Sequence, residues 1–197
     1  MEPLLLPLAS FAFVTSITPG PNNIMLASSG INFGFARSIP HIFGVAVGFG
    51  ALVALCAIGV GALIVAWPGA YLMLKAFGTA YLLFFAWQLR TIAFAPSDNS
   101  LAEPMPFGAA ALFQLINPKA WVMAVTGAAA FTPDLQPFGL AVLILCAVFA
   151  GVNLPCIAGW ALLGALLRGF LSDAFWRRVF STTLVLLTIY SAVSIWF

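Results

Sequence analysis

The chain has 197 residues, of which 63% are hydrophobic and only 6% charged, with a mean hydropathy of +1.13 and a net charge of +2. A soluble domain carries about 25% charged residues, because its surface must be wetted. Seven Lys/Arg and five Asp/Glu cannot cover a globule of 20.8 kDa, so a soluble enzyme, a nucleic-acid binder and a disordered chain are excluded, and the chain reads as an integral membrane protein.

A membrane-crossing helix needs about 20 mostly apolar residues. Six such stretches are predicted in chain order, at 7–29, 40–64, 69–90, 108–130, 137–165 and 179–197. The start, Met1-Glu2-Pro3-Leu4, lacks the basic region of a signal peptide, so the first stretch is taken as a span of the mature chain.

Span one is interrupted by Thr18-Pro19-Gly20-Pro21-Asn22-Asn23. Two prolines remove two N–H donors and free carbonyls in the preceding turn, and Gly20 lets the backbone bend. Asn22 and Asn23 are expected to cap the restarted half-helix. Irregular backbone at membrane depth is tolerated only where it is buried in protein or lines a cavity. The alternative is an ordinary proline kink in a packed helix.

Span two follows a short loop holding Arg37. It carries Gly44, Gly48, Gly50, Gly59 and Gly61, a face suited to close helix packing, and His41 at its mouth reads as interfacial. Trp67-Pro68-Gly69 is a tight turn into span three, where the stem of Lys75 can snorkel to the interface. The stretch 91–107 is the one long polar loop.

Span four contains the second break, Gln114-Leu115-Ile116-Asn117-Pro118-Lys119. Counted along a continuous helix from Gly108 at about 1.5 Å per residue, Lys119 lies roughly 15 Å deep. An ionisable residue at that depth is a functional candidate. It pairs with a substrate carboxylate, or it bonds carbonyls freed by Pro118. Thr132–Pro137 is another tight turn. In span five, Asn153 stands beside a break at Pro155 and either hydrogen-bonds across helices or faces a cavity. Arg168–Arg178 is a basic link to the last span.

Arg37, Arg90, Arg168, Arg177 and Arg178 all fall in the odd-numbered loops. The positive-inside rule therefore predicts those loops in the cytoplasm and both termini outside. Segment 13–19 aligns with 112–118 at an offset of 99, Thr-Pro against Asn-Pro, and Cys56 then falls one residue from the counterpart of Cys156. Three spans per unit is an odd number, so the second unit is inverted. The fold expected is all-α, with six transmembrane helices as two inverted three-helix repeats whose first and fourth helices are broken. It forms one transmembrane domain over 1–197, with repeat one at about 1–95, a cytoplasmic loop at 91–107 and repeat two at 108–197.

Glu2, Asp98, Glu103, Asp134 and Asp173 all lie at ends or in loops, so no carboxylate sits at the membrane centre. A substrate ammonium would then be held by backbone carbonyls and by Asn22, Asn23, Asn117 or Gln114, and proton coupling would fall to Lys119 or His41. Cys56, Cys146 and Cys156 lack metal-ligand spacing, and no metal or cofactor is expected.

The Thr18–Asn23 segment, with Gln114-Leu115-Ile116-Asn117-Pro118-Lys119-Ala120-Trp121, resembles the LysE/RhtB family of bacterial amino-acid exporters over essentially the whole chain. Gly34-Phe35-Ala36-Arg37 and Tyr81-Leu82 fit as well. Leu26-Ala27-Ser28-Ser29, the run through Cys56 and Tyr190-Ser191-Ala192-Val193 are similar to its cysteine and O-acetylserine branch. The resemblance implies a multi-pass protein of the bacterial cytoplasmic membrane that exports a small amino acid, driven by the proton gradient. It implies site residues at Pro19, Gly20, Pro21, Asn22, Asn23, Asn117, Pro118 and Lys119, to which the residue reading adds Thr18, Gln114 and Asn153. Expected partners are the amino acid and membrane lipid, with no nucleic acid, and a homodimer through a glycine face is compatible with the pattern. Two other classes compete: a transmembrane thiol–disulfide carrier using Cys56 and Cys156, and a channel-like bundle.

Overall fold

The computed structural model describes residues 2–60, 66–89, 103–131, 137–194 and 196. Among these the secondary structure is helical throughout, in eight α-helices: α1 (Glu2–Ile17), α2 (Pro21–Phe33), α3 (Ile39–Leu55), α4 (Pro68–Leu89), α5 (Phe107–Phe113), α6 (Pro118–Phe131), α7 (Phe138–Leu167) and α8 (Ala174–Ser194). Short 3-10 turns at Ala36–Ser38 and Phe170–Ser172 lead into α3 and α8. Most of the loop expected at 91–107, most of the turn expected at 132–137 and the last residues of the second expected span lie outside the described residues.

Spans one and four are each divided in two. α1 stops at Ile17 and α2 restarts at Pro21, while α5 stops at Phe113 and α6 restarts at Pro118. Both restarts put proline at the first helical position, where the missing N–H costs nothing and the fixed φ suits the helix. Division leaves no long continuous apolar run in either span. Two helices among the described residues are long and apolar enough to cross a membrane, Ala36–Gly59 and Phe138–Leu167. The depth count for Lys119 assumed a continuous helix from Gly108, and the turns at 114–117 invalidate it.

No break occurs at Pro155, contrary to expectation: α7 runs through it without interruption. Span two ends differently as well. After Leu55 the helix widens into a π-turn, Cys56–Val60, inside which Gly59 takes φ 120°, a conformation that favours glycine.

Small residues decide which helices meet closely. A Cβ on Gly30 of α2 would strike the Ala161 carbonyl of α7, and one on Gly164 of α7 would strike the Ala27 carbonyl of α2. Gly44 and Gly48 of α3 likewise lie against Phe107 and Ala111 of α5. The Gly-x-x-x-Gly face of α3 is thus taken up by close helix packing inside the chain, as its sequence suggests. In the central layer Phe49 of α3 meets Phe149 of α7 edge-to-face with ring centroids 5.6 Å apart, and Phe11 of α1 meets the same Phe149 ring at 6.2 Å. Leu8, Leu52, Val53, Ala124, Val125 and Leu145 complete the core around them. α4 packs on α8 at the periphery, and Lys75 lies over the Trp196 ring with its ammonium 5.9 Å from the centroid.

Candidate functional site

The two helix breaks face each other. In α1 the carbonyls of Ser16 to Pro19 would bond the N–H groups of residues 20 to 23, but Pro21 has no N–H and Gly20 is extended at φ −168°. Each of the four instead receives a side chain. Asn23 Nδ2 donates to Ser16 O and Thr18 O, both at 2.8 Å, and Trp160 Nε1 donates to Ile17 O at 3.1 Å. Ser191 Oγ donates to Pro19 O at 2.6 Å. Lys119 Nζ donates to Thr18 O, to Thr18 Oγ1 at 2.9 Å and to Pro19 O at 3.3 Å. Donors from α2, α6, α7 and α8 therefore converge on one unwound turn, which satisfies its carbonyls away from water.

The second break closes largely on itself. Tight turns carry the chain from Gln114 to Asn117, and Trp121 Nε1 returns to Leu115 O at 2.9 Å. Asn117 Oδ1 accepts from the Lys119 N–H at 3.2 Å and caps α6. The capping expected of Asn22 and Asn23 does not occur: Gly20 holds the cap position of α2 with no side-chain bond. Asn22 instead pairs with Gln114, Nδ2 donating to Oε1 at 2.8 Å and Nε2 donating back to Oδ1 at 3.0 Å. Gln114 is fully buried and also donates to Ala110 O.

Between the breaks lies a cavity of about 20 Å³. That is room for a water molecule or so. Seven of the sequence-predicted residues line it: Gly20, Pro21, Asn22, Asn23, Asn117, Lys119 and Asn153. Thr18 and Pro19 stand behind the Lys119 ammonium, Gln114 behind Asn22, and Pro118 starts α6. Asn153 answers to both alternatives left open for it, since its Nδ2 donates across helices to Ser16 Oγ at 3.1 Å while it also lines the cavity. Its Oδ1 is buried without a partner among the described residues. Lys119 bonds freed carbonyls, but those of the other break, released where the extended Gly20 interrupts the helix rather than by Pro118.

Sequence reasoning missed Thr15, Ser16, Phe49, Ala120, Met123 and Ile157 on the cavity wall, and Ser191 and Trp160 at the broken turn. A hydroxyl in an apolar run carries little signal, because it often bonds its own helix, as Thr15 Oγ1 does to Phe11 O at 2.6 Å. His41 lies in the first turn of α3. It is 2% exposed, with Nδ1 unpartnered among the described residues, and it does not line the cavity. Cys56, Cys146 and Cys156 are free thiols and none lines the cavity.

Comparison with known proteins gives this geometry a context. The LysE type translocator family model matches residues 13–196. The chain is similar to the cysteine/O-acetylserine efflux protein of Shigella flexneri, 32% identical over 201 residues and covering 100% of both chains. It is likewise similar to that of Escherichia coli strain K12, 32% identical over 191 residues and 95% of each chain. The protein of that name from Salmonella typhimurium strain LT2 is 32% identical over 202 residues and 100% of each. No solved structure matches the chain. With a family match over nearly its whole length, the chain belongs to the LysE type translocator family and is a membrane transporter rather than an enzyme.

Proposed function

We propose that the chain exports a small amino acid or derivative, of the size of cysteine, O-acetylserine, threonine or homoserine, from the cytoplasm across the bacterial inner membrane, driven by the proton gradient. The observation that carries the reading is the meeting of two interrupted helices from opposite halves of the chain at one polar cavity. Such breaks in carrier proteins present helix N-termini and freed carbonyls to a charged solute. The relatives' name, cysteine/O-acetylserine efflux protein, supports both the direction and the solute class.

On this reading the chain is one transmembrane domain of six spans in two inverted repeats, α1–α4 and α5–α8. What supports the repeat is the pattern of contacts. α3 packs on α5 as α7 packs on α1, α2 packs on α7 as α6 packs on α3, and the pairs α3–α7 and α4–α8 map onto themselves. Phe49 and Phe149, one hundred residues apart, meet as residues near a two-fold axis would. Odd loops lie in the cytoplasm and both termini outside. Lys119 attracts the substrate carboxylate; Asn22, Asn23, Asn117 and Asn153 supply polar contacts, with Gln114 positioning Asn22; Thr18, Pro19, Gly20, Pro21 and Pro118 shape the backbone.

The test is efflux from bacterial cells preloaded with labelled cysteine, O-acetylserine, threonine, homoserine, leucine or lysine. Selective efflux of one compound, lost in Lys119→Ala while the variant still inserts in the membrane, is the expected result. No efflux of any compound from inserted wild-type protein would overturn the reading.

A further inference from the structure

We infer that the unwound turn of α1 is a binding site for a primary ammonium group, which Lys119 occupies as a tethered stand-in until the substrate's own ammonium displaces it. The inference rests on the exporter reading only for whose ammonium arrives.

The turn offers three acceptors to one nitrogen: Thr18 O, Thr18 Oγ1 and Pro19 O. An R–NH₃⁺ group has three N–H donors and no acceptor, so the match in number is complete. The acceptors are also fixed in place. Thr18 Oγ1 gives its own proton to Thr15 O at 3.0 Å and so turns a lone pair to the ammonium. Thr18 O is held from its other side by Asn23, and Pro19 O by Ser191. A zwitterionic amino acid needs such a site, because no carboxylate among the five in the chain falls within an expected span.

A second, independent feature lies on the cavity wall. Asn153 is 6% exposed, and its Oδ1 is an acceptor without a partner among the described residues. Burying such an oxygen unsatisfied is costly, and a donor arriving in the cavity relieves the cost. Freed from the cradle, Lys119 becomes available to a carboxylate, so ammonium and carboxylate are recognised in one exchange. A neutral or purely anionic solute leaves the lysine where it is.

Gly20 permits the arrangement. Its Cβ, if present, would lie 2.6 Å from Lys119 Cδ and 3.2 Å from Nζ. Its φ of −168° is open to any residue, so Gly20→Ala should fold and push the lysine stem off the turn.

The experiment measures thermal midpoints of the purified full chain in detergent with n-propylammonium, tetramethylammonium or sodium. A tethered occupant lowers the apparent affinity for a free competitor by the fraction of time the site stands empty. Wild type should therefore respond weakly. Lys119→Ala and Gly20→Ala should each gain a saturable rise with propylammonium, roughly 3 °C or more at tenfold excess over its Kd. Tetramethylammonium has no N–H to give, so neither it nor sodium should act. No response in either variant, or equal responses to all three cations, would overturn the inference. Should Lys119→Ala fail to fold, Gly20→Ala carries the test alone. A selective propylammonium response without efflux by wild type would sink the exporter reading and leave the cradle standing. Efflux without that response would do the reverse.

Discussion

Asn22 and Gln114 exchange two hydrogen bonds across the junction of the halves, with Gln114 fully buried. Truncating one partner strands the other, which costs about 1–3 kcal/mol, whereas replacing both by apolar groups is nearly neutral. Asn22→Ala should therefore lower the thermal midpoint by that equivalent and raise the half-saturation for efflux. Asn22→Leu combined with Gln114→Leu should recover most of the midpoint while efflux stays impaired, a split that a purely structural pair would not give. These residues were legible because asparagine and glutamine beside proline have no ordinary place in an apolar run. What they bond was not legible. Asn22 and Asn23 have the composition of helix caps, but the extended Gly20 takes the cap position and leaves both amides free to reach other elements. Ser16 and Ser191 were not readable as site residues, since only the folded chain brings them to Asn153 and to Pro19.

Among the helices, adjacency depends on whether a Cβ can fit. Gly164→Ala should force α2 and α7 apart and cost about 1–3 kcal/mol, the usual price of overpacking. Gly50 of α3 has open space around it, so Gly50→Ala should be neutral or stabilise by up to about 1 kcal/mol through helix propensity. Thermal midpoints of the two variants in detergent check the pair. Proline alone does not predict a break. Asn117-Pro118 restarts a helix because Asn117 caps it and Pro118 occupies its first position. Leu154-Pro155 brings no cap directly before the proline, and α7 absorbs the missing donor. At the other break the extended Gly20 stands before Pro21 without a side-chain cap, so what the two breaks share is a proline at the first position of the restarted helix.

For the molecule as a whole, the arginine distribution gives the orientation a simple check. A periplasmic reporter enzyme fused at the C-terminus should be active, and a cytoplasmic fluorescent reporter there should stay dark; the opposite result would invert the topology. The cavity of about 20 Å³ is smaller by more than tenfold than the roughly 300 Å³ of an ordinary small-molecule site, so the helices must part before a solute is held. The contact between Lys119 and Gly20 ties the two breaks together at one point. A residue larger than glycine at position 20 would meet the lysine stem, and the ammonium's bonds to Thr18 and Pro19 must be given up before the breaks can separate.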